Sequence, residues 1–136
     1  MGMDFAPKFF YLPQLELPEV LAAVVVGFHI WISVKGGLLA YNISTLKLIH
    51  QHRASVDLIC FANLNENYVI AGLADGRAQI RDTKMFQCCG EIPALSDPII
   101  SIVVAKPSAY SSETCVWFAS IKTISIWKVD LQHESE

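Results

Sequence analysis

The sequence predicts an all-β protein built from three similar antiparallel sheets of about four strands each. Short apolar and aromatic runs of strand length alternate with polar turns, and the whole pattern repeats along the chain. The clearest unit is Asn63–Asp82, in which a polar turn, an apolar run, the tight turn at residues 74–76 and an alternating run follow one another. The Asp75-Gly76 pair between two strand-like runs is a strong hairpin signal.

The first repeat is predicted at residues 20–52, after a proline-rich lead-in at residues 1–19. Pro7, Pro13 and Pro18 exclude a long helix from the lead-in. The run VLAAVVV is apolar throughout, which is typical of a strand buried on both faces. The runs HIWISV, LLAYNI and TLKLIH follow as three further strand candidates.

The second and third repeats are predicted at residues 53–92 and 93–130, and a polar tail at residues 131–136. The second repeat contains the strand candidates VDLICF, YVIAG, RAQIRD and MFQCCG. The third contains IISIVVA, CVWFAS and TISIWKVD, with the longer loop KPSAYSSET after the first of them.

The apolar composition has two possible explanations. The chain is 53% hydrophobic and 17% charged, as expected of a membrane protein or of sheets covered by other sheets. The longest apolar run, Val20–Val34, contains His29, is shorter than the ~18 residues of a spanning helix, and is rich in β-branched residues. Sheets are therefore favoured, and a membrane-associated helical protein built on Val20–Val34 is the alternative.

Charge and cysteine content indicate a cytoplasmic protein without nucleic-acid or membrane partners. The formal net charge is −3, and the ten basic residues are scattered rather than clustered on one face. The N-terminus lacks the pattern of a signal peptide. The four cysteines are expected to be reduced thiols; they are Cys60, Cys88, Cys89 and Cys115.

The repeat has the period of a β-propeller. Superposed blocks align Asn42, Asp82 and Lys128 at the ends of their third strands, at spacings of 40 and 46 residues. Units of about 40 residues with four strands each are the propeller pattern. One such sheet cannot bury two apolar faces alone, but stacked sheets cover one another.

The middle block resembles a WD40 repeat. His52 stands where that family has the His of its Gly-His pair, AGLADG at residues 71–76 is similar to its Ser-Gly-Ser-x-Asp-Gly turn, and Asp82 matches the Asp of Trp-Asp. YNISTLKLI in the first block and ISIWKVD in the third are similar to the region around that Trp-Asp pair. The resemblance covers residues 20–130 and implies a partial WD40-like propeller.

Several residues of the family's hydrogen-bond network differ in this chain. Ala71 replaces a hydroxyl residue and Arg81 replaces the Trp, while His52 and Asp75 are retained. The resemblance implies a structural hydrogen bond between His52 and Asp75, and such a carboxylate partner would raise the pKa of the imidazole.

The resemblance also implies a function. Three blades do not close a ring, so the chain is expected to be part of a longer protein or to assemble with copies of itself. Divergent blades of this kind are similar to propellers appended to large signalling proteins, such as leucine-rich-repeat kinases or Rho exchange factors. The implied function is a protein-interaction or scaffold module whose partner contacts one rim of loops. The residues implied on that rim are Lys35, His52, Arg53, Asp75 and Asp97.

The sequence contains no motif that favours an enzyme. It has neither a Gly-x-Ser-x-Gly elbow nor a phosphate-binding Gly-rich loop. His50 and His52 lie on one side of an extended strand and, with Cys88 and Cys89, carry atoms that bind zinc, but their spacing matches no zinc pattern. We therefore predict no catalytic residue, metal or cofactor. A self-assembling structural protein and a metal-binding protein are the alternatives.

Overall fold

The computed structural model describes residues 6–11, 15–107, 109 and 113–131, and every regular element in these residues is a β-strand. Part of the predicted lead-in, part of the KPSAYSSET loop and all of the predicted tail except Leu131 lie outside the described residues. The predicted all-β fold class is confirmed.

The first two sheets each have four antiparallel strands in chain order. The first sheet contains β1 (Val20–Val26), β2 (His29–Val34), β3 (Gly37–Asn42) and β4 (Leu48–Arg53). The second contains β5 (Leu58–Asn63), β6 (Tyr68–Leu73), β7 (Ala78–Asp82) and β8 (Cys88–Ile92). Each pair of sequential strands is joined by a short turn, as antiparallel pairing allows.

The third sheet matches the three strand candidates of the third repeat and, as far as the structure describes it, has one strand fewer than each of the other two sheets. It contains three strands within the described residues, β9 (Ser101–Ala105), β10 (Thr114–Ala119) and β11 (Ile124–Val129). β10 lies in the middle and pairs with both neighbours. Only Asp130 and Leu131 follow β11 in the described part of the chain, too few to form another strand there.

The apolar run Val20–Val34 forms two strands, so the helical alternative is wrong for these residues. β1 and β2 pair across a turn in which Gly27 has a φ of 61°. Glycine adopts a positive φ without strain, so the chain turns at Gly27 and the apolar sequence divides into two strands. In the ranges that the structure describes, no helix is long and apolar enough to cross a membrane.

The three sheets pack side by side through their first strands. β5 lies between β1 and β9, and apolar side chains fill both spaces. Trp31 and Val69 are fully buried between the first and second sheets, and Ile99 and Phe118 between the second and third. The buried Ser33 hydroxyl donates a hydrogen bond of 2.7 Å to the carbonyl of Leu58 in the neighbouring sheet. The second sheet therefore buries both of its apolar faces by stacking, as the composition predicted, while the first and third sheets each bury one.

Asn42 and Asp82 occupy matching turns in the first two sheets. Each side-chain Oδ1 accepts hydrogen bonds from the backbone N–H groups two and three residues later. The fourth residue after each, Leu46 or Phe86, has a positive φ of 60° or 63°. The 40-residue repeat therefore corresponds to one repeated turn geometry, in which a short side chain accepts the hydrogen bonds of two backbone N–H groups.

Candidate functional site

Four connections meet at one end of the sheets. We call this surface the turn rim; it consists of residues 35–36, 54–57, 74–77 and 93–97. Backbone hydrogen bonds join the connections, from the Ala54 N–H to the Gly36 carbonyl at 3.0 Å and from the Ala74 N–H to the Asp57 carbonyl at 3.0 Å. The Leu95 N–H donates to the Gly76 carbonyl at 2.9 Å. The rim is therefore a connected backbone surface rather than a set of independent loops.

The structure places four of the five predicted rim residues on this surface or beside it. Lys35, Asp75 and Asp97 belong to the connections, and Arg53 is the last residue of β4. Lys35, Arg53 and Asp75 are exposed, whereas Asp97 is half-buried.

Lys35 has an acidic partner that was not predicted from the sequence. Its Nζ lies 3.5 Å from Asp57 Oδ2, while the Gly36 N–H donates to Asp57 Oδ1 at 3.2 Å. The Lys35 side chain is still 67% exposed. The sequence contained one signal for this contact. Asp57 is an acidic residue near the start of the otherwise apolar run VDLICF, which indicates that this end of the strand faces solvent.

Asp75 binds Arg77 within its own turn. Arg77 Nε donates to Asp75 Oδ2 at 2.8 Å, and the Arg77 N–H donates to Asp75 Oδ1 at 3.1 Å. Arg77 Nη1 also donates to both carboxylate oxygens of Glu91 at 3.0 Å. The hydrogen bonds with Asp75 and then Glu91 raise the pKa of Arg77. Because Asp75 has this partner two residues away, its oxygens are already occupied.

The implied hydrogen bond between His52 and Asp75 is not formed. His52 belongs to strand β4 rather than to a loop, and its Nδ1 lies 3.3 Å from Nε2 of His50. The two rings stack at 5.4 Å, on one side of the strand as expected from its alternation. Burial, Arg81 and His50 lower the pKa of His52, the opposite of the direction that a carboxylate partner would give.

We expect His52 to make the chain less stable in mild acid. Its pKa in the folded chain is lower than the usual 6.5, so the unfolded chain binds the proton more tightly. The free energy of unfolding should therefore fall as the pH drops below 6.5 towards the folded pKa. Urea unfolding at about pH 7.5 and about pH 5 measures this loss.

This loss of stability in acid should be smaller in His52→Gln, because the variant lacks the titrating ring. His29→Gln is the matched control, because it removes a histidine from β2 and leaves His52 in place. Equal acid sensitivity in the native chain and in His52→Gln would contradict the assignment.

Arg81 fills the position at which the resemblance implies a tryptophan. It is 5% exposed, and its Nη1 donates to the Phe86 carbonyl at 2.9 Å. Its Nε and Nη2 donate to Gln79 Oε1 at 3.2 and 2.9 Å. The ring of Phe86 stacks on His50 with 4.4 Å between centroids. In the sequence Arg81 was only a departure from the family pattern, whereas in the structure it ties the β7–β8 turn to the sheet.

A cavity of about 170 Å³ lies beside Arg81, between the end of β4 and strand β7. We call it the basic cleft. Its polar lining consists of His52, Arg53, Ser55, Arg77, Gln79 and Arg81. Arg53 and Ser55 are exposed, so the cleft reaches solvent at the turn rim. The structure therefore brings His52 and Arg53 together with arginines of the next sheet.

The cysteines are free thiols. Burial raises the pKa of Cys60 to about 11, and its Sγ faces the Ile99 carbonyl at 3.3 Å. A thiol with such a pKa is a poor nucleophile at neutral pH. Cys88 and Cys89 are exposed on β8. The described ranges contain no group of three or more His, Cys, Asp or Glu side chains arranged to hold a metal ion.

Solved structures show which fold the stacked sheets form. The WD40 repeats of RRP9 superpose with a TM-score of 0.69 over 85% of this chain, at 13% sequence identity. Sqt1 of Saccharomyces cerevisiae superposes with a TM-score of 0.68 over 81% of this chain, at 14% identity. The fold is that of WD40 propeller blades. The predicted partial WD40-like propeller is confirmed at the level of fold.

The WD40 blades of this chain make up only part of the natural structures that they match. The chain spans 37% of the RRP9 structure and 31% of Sqt1. It also superposes on the computationally designed Ika4 protein with a TM-score of 0.67 at 16% identity, covering 85% of this chain and 69% of Ika4. No protein-family model matches the sequence, and no curated protein matches it significantly.

Proposed function

We propose that the chain is a non-enzymatic protein-interaction module that binds a protein partner through the turn rim. The observation that carries this proposal is the connected rim itself, on which Lys35 and Arg53 present exposed cations. A surface whose loops are already joined by backbone hydrogen bonds loses little conformational entropy when a partner binds. Exposed charges on such a surface guide association and select partners.

The proposal includes the setting that the resemblance implies. The module would act in the cytoplasm within a larger signalling protein or assembly, without a cofactor, nucleic acid or membrane as partner.

A second candidate function is self-assembly through the outer face of the third sheet. Trp117 pairs in register with Val103 and Ile126, and all three side chains are 43–58% exposed. This apolar row across three strands is a face that a further sheet would cover, and we take a second copy of the chain as its occupant. Light scattering distinguishes the candidates, because a stable monomer contradicts self-assembly and a discrete dimer favours it.

The rim is tested by the double variant Lys35→Glu, Arg53→Glu. We expect its capture of partner proteins from source-cell extract, measured by quantitative mass spectrometry, to fall about tenfold or more, which corresponds to about 1.4 kcal/mol. The far-UV spectrum should not change, because an exposed ion pair such as Lys35–Asp57 contributes only about 0–1 kcal/mol.

The control for this test reverses two charges at the opposite end of the sheets. Lys47 and Lys84 are exposed and lie in the β3–β4 and β7–β8 turns. Lys47→Glu, Lys84→Glu carries the same change in net charge and should retain capture. Undiminished capture by the rim variant, or equal loss in both variants, would refute the rim assignment.

A further inference from the structure

Arg81 carries a buried charge without an acidic partner. Only 5% of the residue is exposed, and its three hydrogen bonds go to neutral acceptors, the Gln79 amide oxygen and the Phe86 carbonyl. Among the residues that the structure describes, no carboxylate lies within ion-pair distance of Arg81. A buried charge is costly unless an opposite charge accompanies it.

The guanidinium retains donors for a further acceptor. An arginine has five N–H donors, and the hydrogen bonds to Gln79 and Phe86 use three of them. Two N–H groups, one on each terminal nitrogen, are therefore left for a ligand. Arg81 lines the basic cleft, so that ligand can reach it from solvent.

The other side chains of the cleft have the matching charge. Arg53 is exposed, and none of the described ion pairs includes it. Arg77 pairs with both Asp75 and Glu91, so its charge is more than balanced and the positive charge of the cleft comes from Arg53 and Arg81. The cavity of about 170 Å³ exceeds the roughly 30 Å³ that one water occupies in the liquid, so it has room for a small oxyanion.

We propose that the basic cleft binds an oxyanion group, a phosphate or a carboxylate, between Arg53 on the first sheet and Arg81 on the second. Both ligands present the planar or tetrahedral oxygens that guanidinium forks bind. Binding would compensate the charge of Arg81 and link the two sheets. The idea that a protein partner presents this group at the turn rim rests on the proposed function. The affinity of the cleft for the anion does not depend on that function.

The probe is inorganic phosphate, titrated into the full chain at constant ionic strength and followed by nitrogen–proton correlation NMR. We expect saturable shifts of the Arg81 side-chain Nε–Hε signal and of the Ser55 amide. Arg53→Gln should weaken binding about tenfold or more, because it removes one charge-assisted donor. Lys47→Gln removes a cation from the opposite end of the sheets and should leave the affinity unchanged.

A second variant guards against a folding artefact. Arg81→Met should abolish phosphate binding. The urea midpoint should fall somewhat, because the Phe86 carbonyl and the Gln79 amide oxygen lose their donors, but the circular dichroism spectrum should show that the chain remains folded. Acetate, titrated in the same way, distinguishes the two groups: saturable shifts with acetate show that the cleft accepts a carboxylate, and shifts with phosphate alone favour a phosphorylated ligand.

Shifts that do not saturate, or equal affinity in the native chain and Arg53→Gln, would overturn the anion site. This outcome is separate from failure of the proposed function, because the titration contains no protein partner. If the native chain did not bind phosphate but the Lys35→Glu, Arg53→Glu variant lost partner capture, the interaction rim would stand and only the anion site would be rejected.

Discussion

Trp31→Ala should destabilise the chain by about 3–5 kcal/mol, the usual cost of deleting a large buried aromatic side chain. Trp31 is fully buried between the first and second sheets. Its ring meets Phe61 edge-on at 6.5 Å and Phe86 at 5.3 Å, so alanine would leave a cavity where these two sheets join. Urea unfolding followed by circular dichroism measures the change in the free energy of unfolding.

Two further variants make this test specific. Trp117 is 43% exposed on the third sheet, so Trp117→Ala should lower the free energy of unfolding markedly less than Trp31→Ala does. Trp31→Phe keeps an aromatic ring and loses no hydrogen bond, because Trp31 Nε1 is buried without an acceptor in the described structure. It should therefore stay folded and cost less than Trp31→Ala. Equal effects of Trp31→Ala and Trp117→Ala would show that the first two sheets do not depend on this contact.

Gly76→Ala should destabilise the chain by at least about 2 kcal/mol, through strain and a clash that act together. Gly76 has a φ of +92°, which an L side chain rarely adopts. An added Cβ would also run into the Leu95 carbonyl and would lie 2.9 Å from the carbonyl oxygen of Asp97. Since both neighbours are backbone atoms, the β8–β9 connection would have to move away from the turn rim.

Gly90→Ala is the matched control for Gly76→Ala. Gly90 lies in β8, and a Cβ added there would meet no atom within 4 Å, so alanine at this position should be close to neutral. Urea midpoints of the two variants give the comparison, and amide shifts of residues 93–97 show whether the connection moves. A Gly76→Ala chain as stable as Gly90→Ala would mean that the turn tolerates a side chain.

The course of the backbone could be predicted because its signals are local. Apolar runs, the Asp75-Gly76 turn and the spacing of Asn42 and Asp82 each act through neighbours in the chain, and each corresponds to a strand or turn in the structure. The third repeat has only three strand candidates, because the residues after Asp130 are polar and show no strand pattern.

The candidate site was predicted less completely because it depends on which side chains meet across sheets. His52 was matched to Asp75 by family position, but Arg77 is only two residues from Asp75 and takes its carboxylate instead. Asp57 was not recognised as the partner of Lys35, because a contact across more than 20 positions in sequence is set by the packing of β5 beside the first sheet.

Local sequence was enough to establish a chain of short strands in three repeats, because alternation and turn formation depend on residues a few positions apart. The roles of the residues that depart from the repeat pattern depend instead on how the sheets pack. Arg81 is a buried cation beside His52 and Arg53 because the first sheet covers that face of β7. Burial and charge at such a point are properties of two sheets together, so no single repeat contains them.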